Sequence, residues 1–310
     1  MALVDQLNVV NCGAEILLGT GHQGCTFEWD RVKTIELSRQ SYAYTTVQSL
    51  ANIQEAQQRE KIFIISDFES FKVIPVEPKV STSAGSGDES VDGELPYKYE
   101  GMFKKKGVNF WKALRRFNSN GIYNVVFYDI NGNKIMTQSK GGIIKGFSTN
   151  MIFTGHYKGQ EGDTPAEFKF SMQLSSDSIK EMERQTWISG DDADYGINDL
   201  EGINDVVLTM PSALTTGATS LVVKATLVDL SHFPDGLVSA DFKIKRGTTV
   251  ITATGSPVAD EMAKTYTFTV PAAVAGTYTI ETKNAYGTSV ILQAASGLMY
   301  KSNIASVVCV

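Results

Sequence analysis

The side chains able to do chemistry are few, and their spacing decides what each could do. Gly19-Thr20-Gly21-His22-Gln23-Gly24 fits the pattern G-x-G-x-x-G and follows the apolar run 14–18. In a dinucleotide site such glycines let backbone amides close on a pyrophosphate at a helix N-terminus. Here Cys25-Thr26-Phe27-Glu28-Trp29-Asp30 has no helical periodicity and no βαβ repeat follows, so the segment reads as a Gly-rich β turn. Cys12, His22 and Cys25 lie near one another, but structural zinc takes four ligands with tighter Cys spacing, and His156 and His232 sit in other segments. Asp191, Asp192, Asp194, Asp199, Glu201 and Asp205 offer oxygen ligands for calcium. Counted from Asp192, however, the glycine falls at the fifth position (Gly196) and Ile197 takes the sixth, so the loop pattern of an EF-hand fails. There is no G-x-S-x-G elbow and no H-E-x-x-H. No catalytic residue, cofactor-binding residue or metal ligand is therefore assigned, no cofactor is expected, and the chain reads as a non-enzyme.

The composition is that of a folded chain long enough for two cores: 310 residues, 42% hydrophobic and 20% charged. A formal net charge of −6 leaves no excess of cations to displace counterions from nucleic acid or an anionic membrane, although Lys104-Lys105-Lys106 forms a local basic run. No apolar stretch approaches the roughly 18 residues of a membrane span. The N-terminus lacks the charged and apolar regions of a secretory signal. Three cysteines without regular spacing do not form a disulfide framework, so folding in a reducing cytoplasm is expected.

The elements that must position any site are mostly strands. Val32-Lys33-Thr34-Ile35-Glu36-Leu37 alternates as a strand with one wet face. Residues 46–60 predict a helix, and 61–65 and 71–76 predict strands. Residues 79–97 are dominated by Ser, Gly, Asp and Glu with isolated apolar residues, a composition that cannot offset its own ordering entropy. A long flexible loop, ordered against a partner, is expected there. Phe110, Ala113, Leu114 and Phe117 share one helical face over 109–118, with Asn109 as the expected cap. The run 123–137 is a hairpin around Asn131-Gly132. Strands at 146–155 and 166–174 alternate as Phe147/Thr149/Met151/Phe153 and Phe168/Phe170/Met172/Leu174. A short helix at 178–187 opens on a capping box from Ser178 to Glu181.

The expected organisation is a β-rich barrel or sandwich domain over 1–188 with one to three short helices, an acidic linker over 189–204, and a second β domain over 205–310. In the latter, strands are predicted at 206–210, 220–228, 237–245, 249–253, 265–270, 276–283 and 289–294. The stretch Gly276-Thr277-Tyr278-Thr279-Ile280-Glu281-Thr282, followed by Asn284-Ala285-Tyr286-Gly287-Thr288, resembles the penultimate strand and final hairpin of immunoglobulin-like domains. Tyr278 is then the candidate tyrosine-corner residue. The paired cysteines and buried Trp of antibody domains are missing, so the likeness is to the wider superfamily.

The order of elements, namely helix 109–118, hairpin 123–137, strands 146–155 and 166–174, then the Ig-like module, resembles tail-tube or neck-ring proteins of bacteriophage virions. That resemblance implies a virion protein made in the host cytoplasm and assembled into rings of identical subunits that also contact other virion proteins. It further implies a lumen through which DNA passes without specific binding, which suits an acidic chain. The alternative is a capsid-decoration or surface adhesion protein whose Ig-like domain binds glycan or protein, with Phe233, Tyr286 and Tyr300 as contacts.

Overall fold

The computed structural model describes residues 3–9, 30–75, 79–82, 89–93, 95–227, 232–293 and 296–310. The protein is mainly β, with short helices. It divides into two compact units, Met1–Ile53 with Ile62–Leu200, and Gln54–Lys61 with Glu201–Val310. The stretch predicted as a linker is folded back into the first unit as far as Leu200: Tyr195 and Leu200 are buried, and short 3-10 turns span Gly190–Asp192 and Ile197–Asp199.

In the first unit the strands are β1 (Asn8–Val9), β2 (Val32–Arg39), β3 (Ile62–Ile65), β4 (Ser70–Ile74), β5 (Lys79–Thr82), β6 (Glu89–Gly93), β7 (Lys98–Lys104), β8 (Tyr123–Asp129), β9 (Lys134–Gln138), β10 (Ile144–Lys145), β11 (Phe147–Thr154), β12 (Glu167–Leu174) and β13 (Gln185–Ile188). The helices are α1 (Leu3–Gln6), α2 (Leu50–Gln58), which ends among the residues of the second unit, α3 (Val108–Leu114) and α4 (Ser178–Glu183). The main sheet runs β1-β13-β9-β8-β11-β12-β7-β4, with β2 on β8, β3 on β2 and β10 on β9. The β5–β6 pair stands apart as a two-stranded ribbon.

Burial explains the pairing. β7 and β12 alternate buried and half-exposed residues, as a sheet with one covered face must. β2 and β8 are buried on both faces. Ile35, Leu37, Phe127 and Ile135 join Phe103, Phe147, Phe168 and Phe170 in an aromatic core. The wet face expected of β2 is instead covered: Thr34 and Glu36 have no exposed surface. The hairpin predicted at 123–137 is present as β8 and β9, and the Asp129 carboxylate organises its turn by accepting from the amides of Asn131 and Asn133 at 2.9 and 3.0 Å. Gly132 sits there at φ +81°, a left-handed conformation that glycine adopts without steric cost.

Three local expectations are corrected. α3 starts from Gly107 with no side-chain cap, so Asn109 lies inside the helix rather than at its cap. α4 starts from Asp177, and Ser178 is buried within it; Glu181 turns away from the backbone to accept from Ser148 N–H at 2.8 Å and Lys145 Nζ at 2.7 Å. The even alternation predicted for 146–155 breaks at a register shift between Thr149 and Met151. Phe147 and Thr149 point into the core, Ile152 and Thr154 take over after the shift, and Phe153 is left 49% exposed. A single extra residue flips every later side chain, and it lets β11 leave β8 and continue along β12.

The second unit is an immunoglobulin-like sandwich. Its strands are β14 (Ile203–Thr209), β15 (Ser220–Leu227), β16 (Phe242–Arg246), β17 (Thr249–Ile251), β18 (Thr254–Asp260), β19 (Thr265–Thr269), β20 (Gly276–Thr282), β21 (Val290–Leu292), β22 (Met299–Ser302) and β23 (Ala305–Cys309). Two sheets, β18-β19-β15-β14-β22-β21 and β17-β16-β20-β23, enclose a core that includes Val223, Phe268, Ile244 and Ile280. The Tyr278 hydroxyl accepts from Val274 N–H, four residues upstream, at 3.1 Å, the tyrosine-corner contact expected of it. The stretch read as a final hairpin is not one. β20 pairs with β16 and β23, while the chain after 284–288 crosses to β21 in the other sheet.

Candidate functional site

The feature of the first unit most suited to a partner is built from nested strand pairs. β4 pairs antiparallel with β7, from Ser70 opposite Met102 to Ile74 opposite Lys98. Farther along the same excursion β5 pairs antiparallel with β6, from Lys79 opposite Gly93 to Thr82 opposite Glu89. The segment 79–97, predicted as a long flexible loop, thus carries a β ribbon. Among the described residues β4 has no strand on its other side. Val73 is 50% exposed, and Leu95 and Tyr97 at the root of the ribbon are exposed as well. An unpaired edge bordered by apolar side chains is a template for another chain.

Aromatic packing fixes the base of this edge. Phe71 stacks on Tyr99 with ring centres 5.7 Å apart, and Phe68 lies 4.5 Å from Phe103. Phe68 can do so because Gly101 has no side chain: a Cβ there would come within 2.5 Å of its ring. Gly101→Val is therefore expected to displace Phe68 and lower stability by about 1–3 kcal/mol, read as a fall in the urea midpoint with an unchanged m-value. The basic run beside it is spoken for in part, since Lys104 meets Glu69 at 3.5 Å and Lys106 meets Asp67 at 3.0 Å.

On the face of β2 and β8 away from the aromatic core lies a buried polar cluster. Lys134 Nζ donates to Glu36 Oε2 at 3.0 Å and to Gln48 Oε1 at 2.8 Å. Tyr128 donates its hydroxyl to Glu36 Oε2 at 2.6 Å, and Tyr44 donates to Glu36 Oε1. The ammonium lies 4.5 Å from the centre of the Tyr44 ring. Burial lowers the Lys134 pKa, against the pull of Glu36; burial, with the Glu36 carboxylate next, raises those of Tyr44 and Tyr128 well above the ordinary phenol value. Burial likewise raises Tyr99 and Tyr195.

These shifts set a pH limit. Below pH 10 the tyrosines are protonated in both folded and unfolded chains, so their contribution is fully present. Above it the unfolded chain ionises them and the folded one does not, so each costs about 1.4 kcal/mol of stability per pH unit. Lys134 acts oppositely, adding stability as pH rises from its lowered value toward the unfolded value of about 10.4. Four tyrosines outweigh one lysine. The first unit should unfold cooperatively above pH 10, with tyrosinate absorbance of these residues appearing together with loss of near-UV dichroism.

The residues singled out in the sequence are placed as follows. Gly19–Gly24, Cys12, His22 and Cys25 lie outside the described residues. His156 and His232 are exposed in different units. Among the acidic residues of 191–205, Asp194 accepts from Leu50 N–H at 2.8 Å and Asp199 from Gly196 N–H at 2.7 Å, so both serve backbone amides. Among the described residues no group of three metal-ligating side chains converges. No described helix is long and apolar enough to cross a membrane.

Of the aromatic residues considered as contacts in the second unit, Tyr300 is buried and Phe233 packs on Tyr266 at 4.8 Å. Tyr286 is 44% exposed, beside an open hollow of about 500 Å³ lined by Gln58, Asp241, Lys243, Lys283 and Asn284. Burial raises the Asp241 carboxyl above its ordinary pKa. The Arg59 guanidinium already covers one face of the Tyr286 ring, 4.1 Å from its centre.

No family model matches the chain, and no curated protein matches it. Among solved structures it is similar to the SGBP-B protein of the Bacteroides ovatus mixed-linkage glucan utilization locus, in complex with a mixed-linkage heptasaccharide. The identity is 9% and the TM-score 0.21, over 80% of this chain and 62% of that one. The chain thus spans less than two thirds of that structure's length, and a likeness at that score carries no inference about fold detail or ligand. The class that the molecule's own geometry defines is a mainly β protein, with a ribbon-bearing sheet unit and an Ig-like sandwich.

Proposed function

We propose that the chain is a structural virion protein that self-assembles into rings of a phage tail or neck, forming a conduit for DNA. The observation that supports this reading most is the nested β4–β7 and β5–β6 ribbon beside an unpaired sheet edge. A protein that works by assembly needs edges and arms, and this unit has both. Joining copies edge to edge around a ring removes the open edge of each. The net charge of −6 suits a lumen that lets a polyanion slide. Negative-stain electron microscopy and sedimentation of the purified protein test the reading: rings or short tubes are expected, and a strictly monomeric protein at every accessible concentration overturns it.

A second reading, an adhesion or decoration protein, is favoured by exposed Tyr286 beside the hollow of the Ig-like unit. Arg59 on the ring weakens it, because a stacked ligand would have only the other face. Saturable glycan binding by a monomer, abolished by Tyr286→Ala, would establish this reading over the first.

A further inference from the structure

We propose that Lys134 and Gln48 become joined by an intramolecular isopeptide bond, formed by the chain itself with Glu36 as the proton carrier. The three side chains meet through direct hydrogen bonds. Lys134 and Glu36 have no exposed surface and Gln48 is 5% exposed. The Lys134 nitrogen lies 2.8 Å from the Gln48 carboxamide oxygen and 3.0 Å from a Glu36 carboxylate oxygen. Gln48 is held from both ends, since its amide nitrogen donates to Thr46 O at 2.7 Å and its backbone N–H donates to Gln6 Oε1 at 2.8 Å. Glu36 is held by the hydroxyls of Tyr44 and Tyr128.

Such an arrangement supplies what amide exchange between side chains needs. The nucleophile must be an uncharged amine, and desolvation favours that form of Lys134. A fixed carboxylate must take its proton, and the carbonyl must be immobilised close by, so that the reaction is effectively unimolecular. The ring faces of Tyr44 and Tyr128 wall the amine, 4.5 and 5.4 Å away at their centres, and exclude the water that would compete by hydrolysis.

The steps balance. Glu36 takes one proton from the ammonium, and the freed lone pair forms a bond to Gln48 Cδ, whose carbonyl π electrons move onto oxygen. Protons pass from the attacking nitrogen, through Glu36, to the amide nitrogen of Gln48. The carbonyl re-forms, the old Cδ–N bond breaks and ammonia departs. The result is one secondary amide, one ammonia and a protonated Glu36, with no oxidant or co-reactant. Two charges that were costly to bury become neutral groups, which favours the product along with escape of ammonia.

The test is the mass of the full-length protein, unfolded and measured intact after prolonged incubation in mildly alkaline buffer. The expected result is a loss of one ammonia, together with a protease-derived linked peptide pair containing Gln48 and Lys134 and faster migration in a denaturing gel. The full unmodified mass in the wild-type chain overturns the proposal. So does an ammonia loss that maps to an asparagine, as in succinimide formation, with no linked pair. Because the wild-type mass decides, a variant that folds poorly does not blunt the test. The isosteric Glu36→Gln chain should keep the full mass while folded, and a linked pair formed there as readily as in the wild type would remove Glu36 from the mechanism.

Discussion

If the chain assembles into rings as proposed, deleting residues 81–93 is expected to leave a folded monomer that no longer forms them. The deletion takes out most of the β5–β6 ribbon, while the core residues named for the first unit, from Ile35 and Leu37 to Phe168 and Phe170, all lie outside it. The β4–β7 pair that roots the ribbon stays, with its five paired positions from Ser70 to Ile74. Shortening the excursion lowers the entropy cost of closing it, so the monomer should melt within a few degrees of the parent. Assembly should respond very differently. A ribbon reaching to a neighbour contributes main-chain pairing and apolar contact once per subunit around a closed ring, and removing it weakens every interface at once. Sedimentation velocity and electron microscopy report the outcome. Rings of normal diameter and abundance from the deleted chain would reduce the ribbon to a passive surface excursion.

How much of this was legible in the sequence depends on whether the signal was local. The 123–137 hairpin was readable because Asn131-Gly132 and the flanking apolar runs are contiguous, and Tyr278 because its corner closes within four residues. The shift between Thr149 and Met151 was not, because alternation through 147–153 is intact in the sequence and only pairing with β12 reveals the extra residue. Glu36 read as a wet-face residue for a similar reason: its neighbours in the polar cluster, Tyr44, Gln48, Tyr128 and Lys134, come from three other segments. β22 and β23 were missed, and β22 is placed by a parallel pairing with β14, from Ile203 opposite Met299, across nearly the whole second unit. At the candidate assembly edge the sequence marked 79–97 as unusual from composition alone. Its ribbon rests on the antiparallel register of β5 with β6, from Lys79 opposite Gly93 to Thr82 opposite Glu89, which composition does not encode.

The buried cluster provides the largest stability effect expected of a point substitution. Glu36→Ala removes the acceptor of three donors at once, the Lys134 ammonium and the hydroxyls of Tyr44 and Tyr128, none of which can reach water. Stranding one member of a buried pair costs about 3–5 kcal/mol. That is a large share of the roughly 5–15 kcal/mol that holds a domain folded. Removing both partners should cost much less, because Glu36→Leu with Lys134→Met leaves no buried charge and fills much of the same volume. Both chains also lack a route to the Lys134–Gln48 bond, so comparing them isolates the stranded charge from any covalent constraint. Urea midpoints at constant m-value are the measurement. The double variant should be more stable than Glu36→Ala by about 2 kcal/mol or more, the cost of leaving the Lys134 ammonium buried without its carboxylate. Equal midpoints would mean that the ammonium and the two phenols find other partners when Glu36 is gone, and that the cluster is less tightly coupled than its geometry implies.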